Sequence, residues 1–373
     1  MSAEQLNQEG ERIMTICNAC RYCEGFCAVF PAMEKRLTFT AADMSYLANL
    51  CHGCGECLRS CQYEPPHPFD VNVPRTLANI RLQSYEQYCW PQPLAAAFRS
   101  NALATVLGIA GTLAVGMALA VAIINHHALI GASDHANFYA VLSHRVMATV
   151  FSAVFVFVIA ACAIAVGRYL KDTGSQFDHA ESGGSVIAGL RDAFSLKYMH
   201  GSGADCTTDE NSRTPWRRWF HHFTFYGFLS CFASTAVATI YDVIDGWPAP
   251  YPLLSLPVML GVIGGVGLTV GPIGLWIIRR RIDPATLDPG EAGLSRAFIL
   301  TLLLTSVSGL ALLAFRDTME MTLLLIAHLA AVMTLFATLP YGKFVHGLYR
   351  AAALIQYVRE SRSAAKTTAD AAG

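Results

Sequence analysis

Six apolar stretches, near residues 102–124, 144–166, 221–240, 256–278, 297–315 and 322–340, dominate the chain after residue 100. Each approaches the roughly 20 residues that a helix needs to cross about 30 Å of hydrocarbon. One such stretch also suits a buried helix of a soluble protein; six in series do not. Composition agrees, since only 14% of the 373 residues are charged and 54% are hydrophobic, whereas a soluble domain carries about 25% charged residues. The expected fold is mostly α: an N-terminal head of residues 1–92, a six-span transmembrane domain over 93–349 with a long loop at 167–220, and a tail at 350–373. A net charge of -1 offers no electrostatic footprint for nucleic acid.

Charge position sets the expected orientation. The N-terminus, MSAEQLNQEGERIM, has no apolar core of signal-peptide type, so the head is expected to stay in the cytoplasm. The loop 167–220 then lies on the same side, and it holds Arg168, Lys171, Arg191, Lys197, Arg213, Arg217 and Arg218. Arg279, Arg280 and Arg281 follow the fourth span, and Lys343, Arg350, Arg359, Arg362 and Lys366 follow the sixth. This asymmetry satisfies the positive-inside rule with both termini cytoplasmic, in a bacterial inner membrane. The fourth span contains GVIGGVGLTVGPIG. It neither follows a strand nor opens a βαβ unit, so it reads as close helix packing in lipid, not as a nucleotide loop.

Eight of the 12 cysteines lie in the first sixty-one residues, in two runs of identical spacing. Cys17, Cys20, Cys23 and Cys27 form one; Cys51, Cys54, Cys57 and Cys61 form the other. This is the bacterial ferredoxin run, in which three cysteines wrap one [4Fe–4S] cube and the fourth ligates its neighbour. The expected ligand sets are therefore Cys17, Cys20, Cys23 and Cys61 for one cube, and Cys51, Cys54, Cys57 and Cys27 for the second. Structural zinc prefers two separated pairs. The ferredoxin run has proline directly after its last cysteine, but here Pro31 and Pro65 stand four residues on. With helical segments at 41–50 and 73–88, this points to an α-helical ferredoxin-like head. Cys206 reads as a loop cysteine before it reads as a ligand.

Histidine in or beside a span is a functional candidate by default. His144 begins the second span on the outer side, His221 and His222 begin the third on the inner side, His328 lies in the outer half of the sixth, and His346 follows it. On one straight helix the eighteen residues from His328 to His346 make five turns, placing the two side chains on one face about 27 Å apart. That arrangement suits one b-type haem per leaflet. His221 or His222 is expected to pair with His346, and His144 with His328, while Arg145 and Arg218 meet haem propionates. The bland alternative for each is an interfacial histidine bonded to lipid or backbone. His126, His127 and His135 read as surface residues of an outer loop.

The whole chain resembles the tricarballylate utilization protein B family, also called the citrate-utilization B family. The resemblance is carried by CNACRYCEGFCAVFPA (17–32), CHGCGECLRSCQYEPPH (51–67), NFYAVLSHRVM (137–147) and HHFTFYGFLSCFAST (221–235). It implies a cluster- and haem-containing electron carrier. Its partner would be a separate FAD-dependent dehydrogenase that converts tricarballylate to cis-aconitate, and its electrons would go to membrane quinone. The histidine spacing also looks like the haem-bearing subunit of respiratory nitrate reductase. That family's second histidine is replaced here by Cys231 or Phe232. A membrane subunit of another quinone-linked reductase, of heterodisulfide type for example, is the alternative reading.

Overall fold

The computed structural model describes residues 2–124, 138–174, 182–199, 206–207 and 213–372. His126, His127 and His135 lie outside them. The head is built from helices α1 (Ala3–Cys20), α2 (Val29–Met33), α3 (Ala41–Leu50), α4 (Glu56–Arg59) and α5 (Val73–Tyr88). Local chemistry sets their starts. Ser2 with Gln5, and Thr40 with Asp43, form reciprocal capping boxes on α1 and α3. Asn72 accepts from the Arg75 amide, with Pro74 in the first turn of α5. The three long head helices bury Ile13, Met14, Met44, Leu47, Leu50, Leu77 and Ile80. Gly10 permits the contact: a Cβ there would lie 2.7 Å from both Ile80 and Met44.

Six helices of membrane-crossing length and composition follow. They are α6 (Gln92–Ile124), α7 (His144–Asp172), α9 (Trp216–Val243), α10 (Leu256–Arg279), α11 (Pro289–Ala314) and α12 (Met321–Thr338). Four contain the expected apolar stretches whole, while those at 297–315 and 322–340 run one and two residues past the ends of α11 and α12. Asn101 breaks α6 with φ -159 and ψ 90, where the apolar run begins. Leu107, Leu119, Ile123, Val156, Ile159 and Ile263 are exposed on their flanks, as a bundle facing lipid requires. The glycine stripe of α10 packs onto α9, with a Cβ at Gly271 falling 2.6 Å from the Thr224 backbone nitrogen. Between α7 and α9, helix α8 (Ser182–Phe194) occupies the long loop, and a two-residue antiparallel pair sets Cys206 opposite Thr214.

The sixth span departs from expectation. Helix α12 stops at Thr338, and a new helix, α13 (Val345–Ala372), begins after a turn. Pro340 has no amide hydrogen to continue the ladder, and Thr338 O accepts instead from the amides of Tyr341 and Gly342. His328 and His346 therefore lie on different helices, and the single straight helix of five turns between them is corrected.

Head, α8 and α13 share one end of the bundle. Arg168, at the end of α7, donates to Cys89 O at 3.0 Å. The Asn72 amide donates to Ala285 O at 2.9 Å, and the Tyr341 hydroxyl to Trp90 O at 3.1 Å. The expected tail is helical and lies on the head. Arg36 pairs with Glu360 at 2.7 Å, and the buried Tyr349 packs on Tyr85, Tyr88 and Tyr169. On α8, a Cβ at Gly189 would lie 2.6 Å from the Ile355 backbone of α13.

Candidate metal centre

The two cysteine runs converge on neighbouring cavities. The first, of about 300 Å³, is lined by Cys17, Cys20, Cys23, Cys57 and Cys61, with Ile16, Phe30 and Tyr63 among its walls. The second is far narrower and is lined by Cys27, Cys51, Cys54 and Cys57. Cys17 and Cys20 stand in the last turns of α1, and only from Arg21, at φ 53, does the chain leave the helix. The expected loop around the first site is thus half helix. The second run starts where α3 ends, and Gly53 and Gly55, at φ +59 and +83, turn it tightly before α4.

The cysteines suit a multi-iron group chemically. Burial pushes the Cys17 and Cys23 thiols up to about 12, and neighbouring thiols add to the shift: Cys23, Cys61 and Cys20 for Cys17, and Cys61, Cys20 and Cys54 for Cys23. Burial also lifts Cys27 and Cys57 well above the usual range, with Cys54 and Cys51 next to both. Thiolates crowded in this way need a positively charged metal core to be stable. Among the described residues no three His, Cys, Asp or Glu side chains converge as a single bound ion requires; the thiols line the two cavities. Amides already point at sulfur: Gly53 N to Cys51 Sγ at 3.3 Å, and Tyr63 N to Cys61 Sγ at 3.4 Å. The narrow second cavity makes its case through its four thiols and the Gly53 amide and not through volume.

The histidines sort into three situations. His221 and His346 come together, with ring centroids 6.0 Å apart and planes at 72°. Two imidazoles on one metal, each nitrogen roughly 2 Å from it, have centroids about 6 Å apart. His346 Nδ1 bonds Lys343 O, which leaves Nε2 free, while the buried His221 Nδ1 has no partner. Burial, with Arg350, Lys343 and His221 nearby, holds His346 well below the usual imidazole range, and so in the neutral form that binds metal. His222 stacks on Tyr226 at 5.6 Å and packs against Trp219, and its own buried Nδ1 likewise has no partner.

His144 and His328 are not brought together. His144 Nε2 binds Asp242 Oδ2 at 2.8 Å, and its ring packs against Tyr139. His328 Nδ1 lies 3.1 Å from Ser308 Oγ, and its ring lies over Gly309. A carboxylate at the end of α9 and a hydroxyl on α11 thus engage them separately. Arg145 is exposed at the start of α7, and Arg218 lies near His222.

Other groups surround the His221–His346 pair that the pattern of the chain did not single out. His52, inside the second cysteine run, is held well below the usual range by burial and by the neighbouring Arg350, Arg217, His221 and Arg81. It bridges the second cavity and the histidine pair. Arg81 pairs with Glu291 at 3.0 Å, and Glu291 also binds Lys343. In sequence, His52 stands inside CHGC and Arg217 inside WRRWFHH, while Arg217, Lys343 and Arg350 count only toward the charge asymmetry.

The family model for citrate utilization protein B matches residues 98–368, and that for its Fer4-like domain matches residues 10–87. The citrate utilization protein B of Escherichia coli is 45% identical over 358 residues, which cover 95% of this chain and 92% of the relative. No solved structure matches the chain. A Fer4-like head with cysteine-lined cavities, set on six membrane-length helices, describes an iron–sulfur membrane electron-transfer protein, and the chain belongs to the citrate utilization protein B family.

Proposed function

We propose that this protein takes electrons from the reduced flavin of a separate dehydrogenase and delivers them to membrane quinone. The observation that carries this reading is the continuity of sites from the head into the bundle: two adjoining thiol-lined cavities, then His52, then the His221–His346 pair. Cys17, Cys20, Cys23 and Cys61 would hold one [4Fe–4S] cube, and Cys27, Cys51, Cys54 and Cys57 the other. His221 and His346 would hold one b-type haem. When bound, these groups supply the one-electron steps that divide a flavin's electron pair.

The chain's own residues position and insulate that route. The hydrophobic core of α1, α3 and α5 fixes the two cysteine runs relative to each other. The Lys343 carbonyl orients the His346 ring. The shared placement of head, α8 and α13 supports a cytoplasmic docking side in a bacterial inner membrane, with both termini there. The family resemblance supports a tricarballylate dehydrogenase-like flavoprotein as the electron donor.

The test is purification of the full chain in detergent, followed by iron, sulfide and haem quantification and a quinone-reduction assay with the reduced flavoprotein. Two cubes predict about eight cluster irons per chain. A preparation without a dithionite-reduced b-type α-band rejects the haem, and one without quinone reduction rejects the relay.

A further inference from the structure

The two cysteine runs share one spacing but stand in different electrostatic surroundings. Behind the second run, three guanidinium groups bond three consecutive carbonyls. Arg81 Nη1 and Arg350 Nη2 each donate to Cys51 O at 2.6 Å. Arg217 donates to His52 O at 3.0 Å and Gly53 O at 2.9 Å. These arginines come from α5, α9 and α13, so the head, the bundle and the C-terminal helix meet on one loop. The first run is different. Its own Arg21 turns back to Asn18 O on α1 at 3.0 Å, and Glu64 lies beside Cys61.

We propose that Arg81, Arg217 and Arg350 make the cluster on the Cys51–Cys57 loop the more easily reduced of the two, so that electrons entering at the first cavity run inward. This inference rests on the two-cluster reading above. Two physical effects carry it. A cube with four thiolates is anionic and gains a further negative charge on reduction, so nearby fixed cations favour its reduced form. In addition, a trans peptide points its N–H opposite its C=O. Holding the carbonyls of residues 51–53 outward therefore turns the amides of residues 52–54 toward the cavity, as the Gly53 N to Cys51 Sγ contact illustrates.

Two opposing influences are smaller. Glu291 faces Arg81, but Lys343 binds the same carboxylate. Glu56 is buried at the start of α4, leaving three arginines against one further carboxylate. Burial disfavours the more charged reduced cube, whereas a single charge several ångströms away, at the effective dielectric of proteins, shifts the equilibrium by about tenfold or more. Three such charges outweigh it. The first cavity is the larger of the two, and Tyr22 at its rim is 68% exposed.

The experiment is an EPR-monitored redox titration of the full-length protein, with iron and sulfide quantified in every sample. Cys20→Ala identifies the first cluster's signal as the one it removes. In the unaltered protein the remaining signal is expected at the higher potential. In Arg217→Gln that signal's reduced-to-oxidised ratio at fixed potential falls about tenfold, equal to about 59 mV for one electron. The first cluster stays in place, and Arg217→Lys recovers most of the shift. A reversed order in the unaltered protein overturns the proposal. So does an Arg217→Gln protein with full iron whose potentials are unchanged or shift equally. If Arg217→Gln loses iron, Arg350→Gln is judged by the same outcomes, and the order in the unaltered protein decides independently of both. Only about four irons in the unaltered protein would instead mean that the two-cluster reading has failed.

Discussion

The rings of His221, on α9, and His346, at the start of α13, face each other with centroids 6.0 Å apart. Neither belongs to the helix that carries the other, and the turn at Pro340 brings them together. His346→Ala or His221→Ala is therefore expected to abolish b-type haem absorbance while cluster iron is retained. His222→Ala, which removes a ring stacked on Tyr226 and packed against Trp219, should keep the haem. Optical spectra of the three variants, with iron quantified, check this.

On the proposed two-cluster reading, eight cysteines are ligands and the others are not. Cys54→Ala is expected to lower cluster iron by about half, removing one four-iron cube. Cys89→Ala should leave iron unchanged, since buried Cys89 bonds the Glu86 carbonyl away from both cavities. Colorimetric iron and sulfide analysis of purified variants decides it.

Helix α13 holds the head through Arg36, which bonds Glu360 at 2.7 Å and Asp43 at 2.6 Å. Arg36→Ala is expected to cost about 1 kcal/mol of head stability, and adding Glu360→Ala should cost little more. A double-mutant cycle on thermal unfolding, followed through loss of cluster absorbance, measures the coupling. Burial pushes Asp43 up, but the bonds from Thr40 and Arg36 outweigh it and leave its pKa below the usual carboxylate value. Its contribution is therefore complete above the unfolded carboxylate pKa, near 4, and is lost as pH falls through the lower folded value. Asp43→Asn should flatten the acid limb of the melting profile.

Gly274 lies under Phe220, where a Cβ would fall 2.4 Å from the ring. Gly274→Leu is expected to cost about 1–3 kcal/mol through overpacking. By displacing Phe220 it also disturbs neighbouring His221. Haem content should fall while head iron persists, as comparison of the two metal pools in one preparation would show.

Much of this architecture was legible before any coordinates. Apolar stretches of membrane length announce themselves by composition, and Thr40, Asn72 and Pro74 mark helix starts through strictly local chemistry. What escaped depends on contacts distant in sequence. The helix that carries Cys17 and Cys20 is polar and gains its burial against α2, α3 and α5. The break after Thr338 runs against the regular spacing of His328 and His346, which suggests one helix although Pro340 stands between them. The separate engagement of His144 and His328 rests on Asp242 and Ser308, which no spacing rule connects to them. Arg81, Arg217 and Arg350 come from three parts of the chain, and only the folded chain shows them meeting at Cys51–Gly53.

His346, Tyr349, Arg350 and Glu360 all project from α13. One rigid rod therefore sets, in a single register, the membrane-side imidazole, the aromatic anchor in the head and the cation behind the inner thiols. Adding one residue after His346 would swing everything beyond it by about 100°. The alignment of head and bundle is thus gauged by the pitch of a single helix, and an added residue would turn Tyr349, Arg350 and Glu360 away from the partners they now hold.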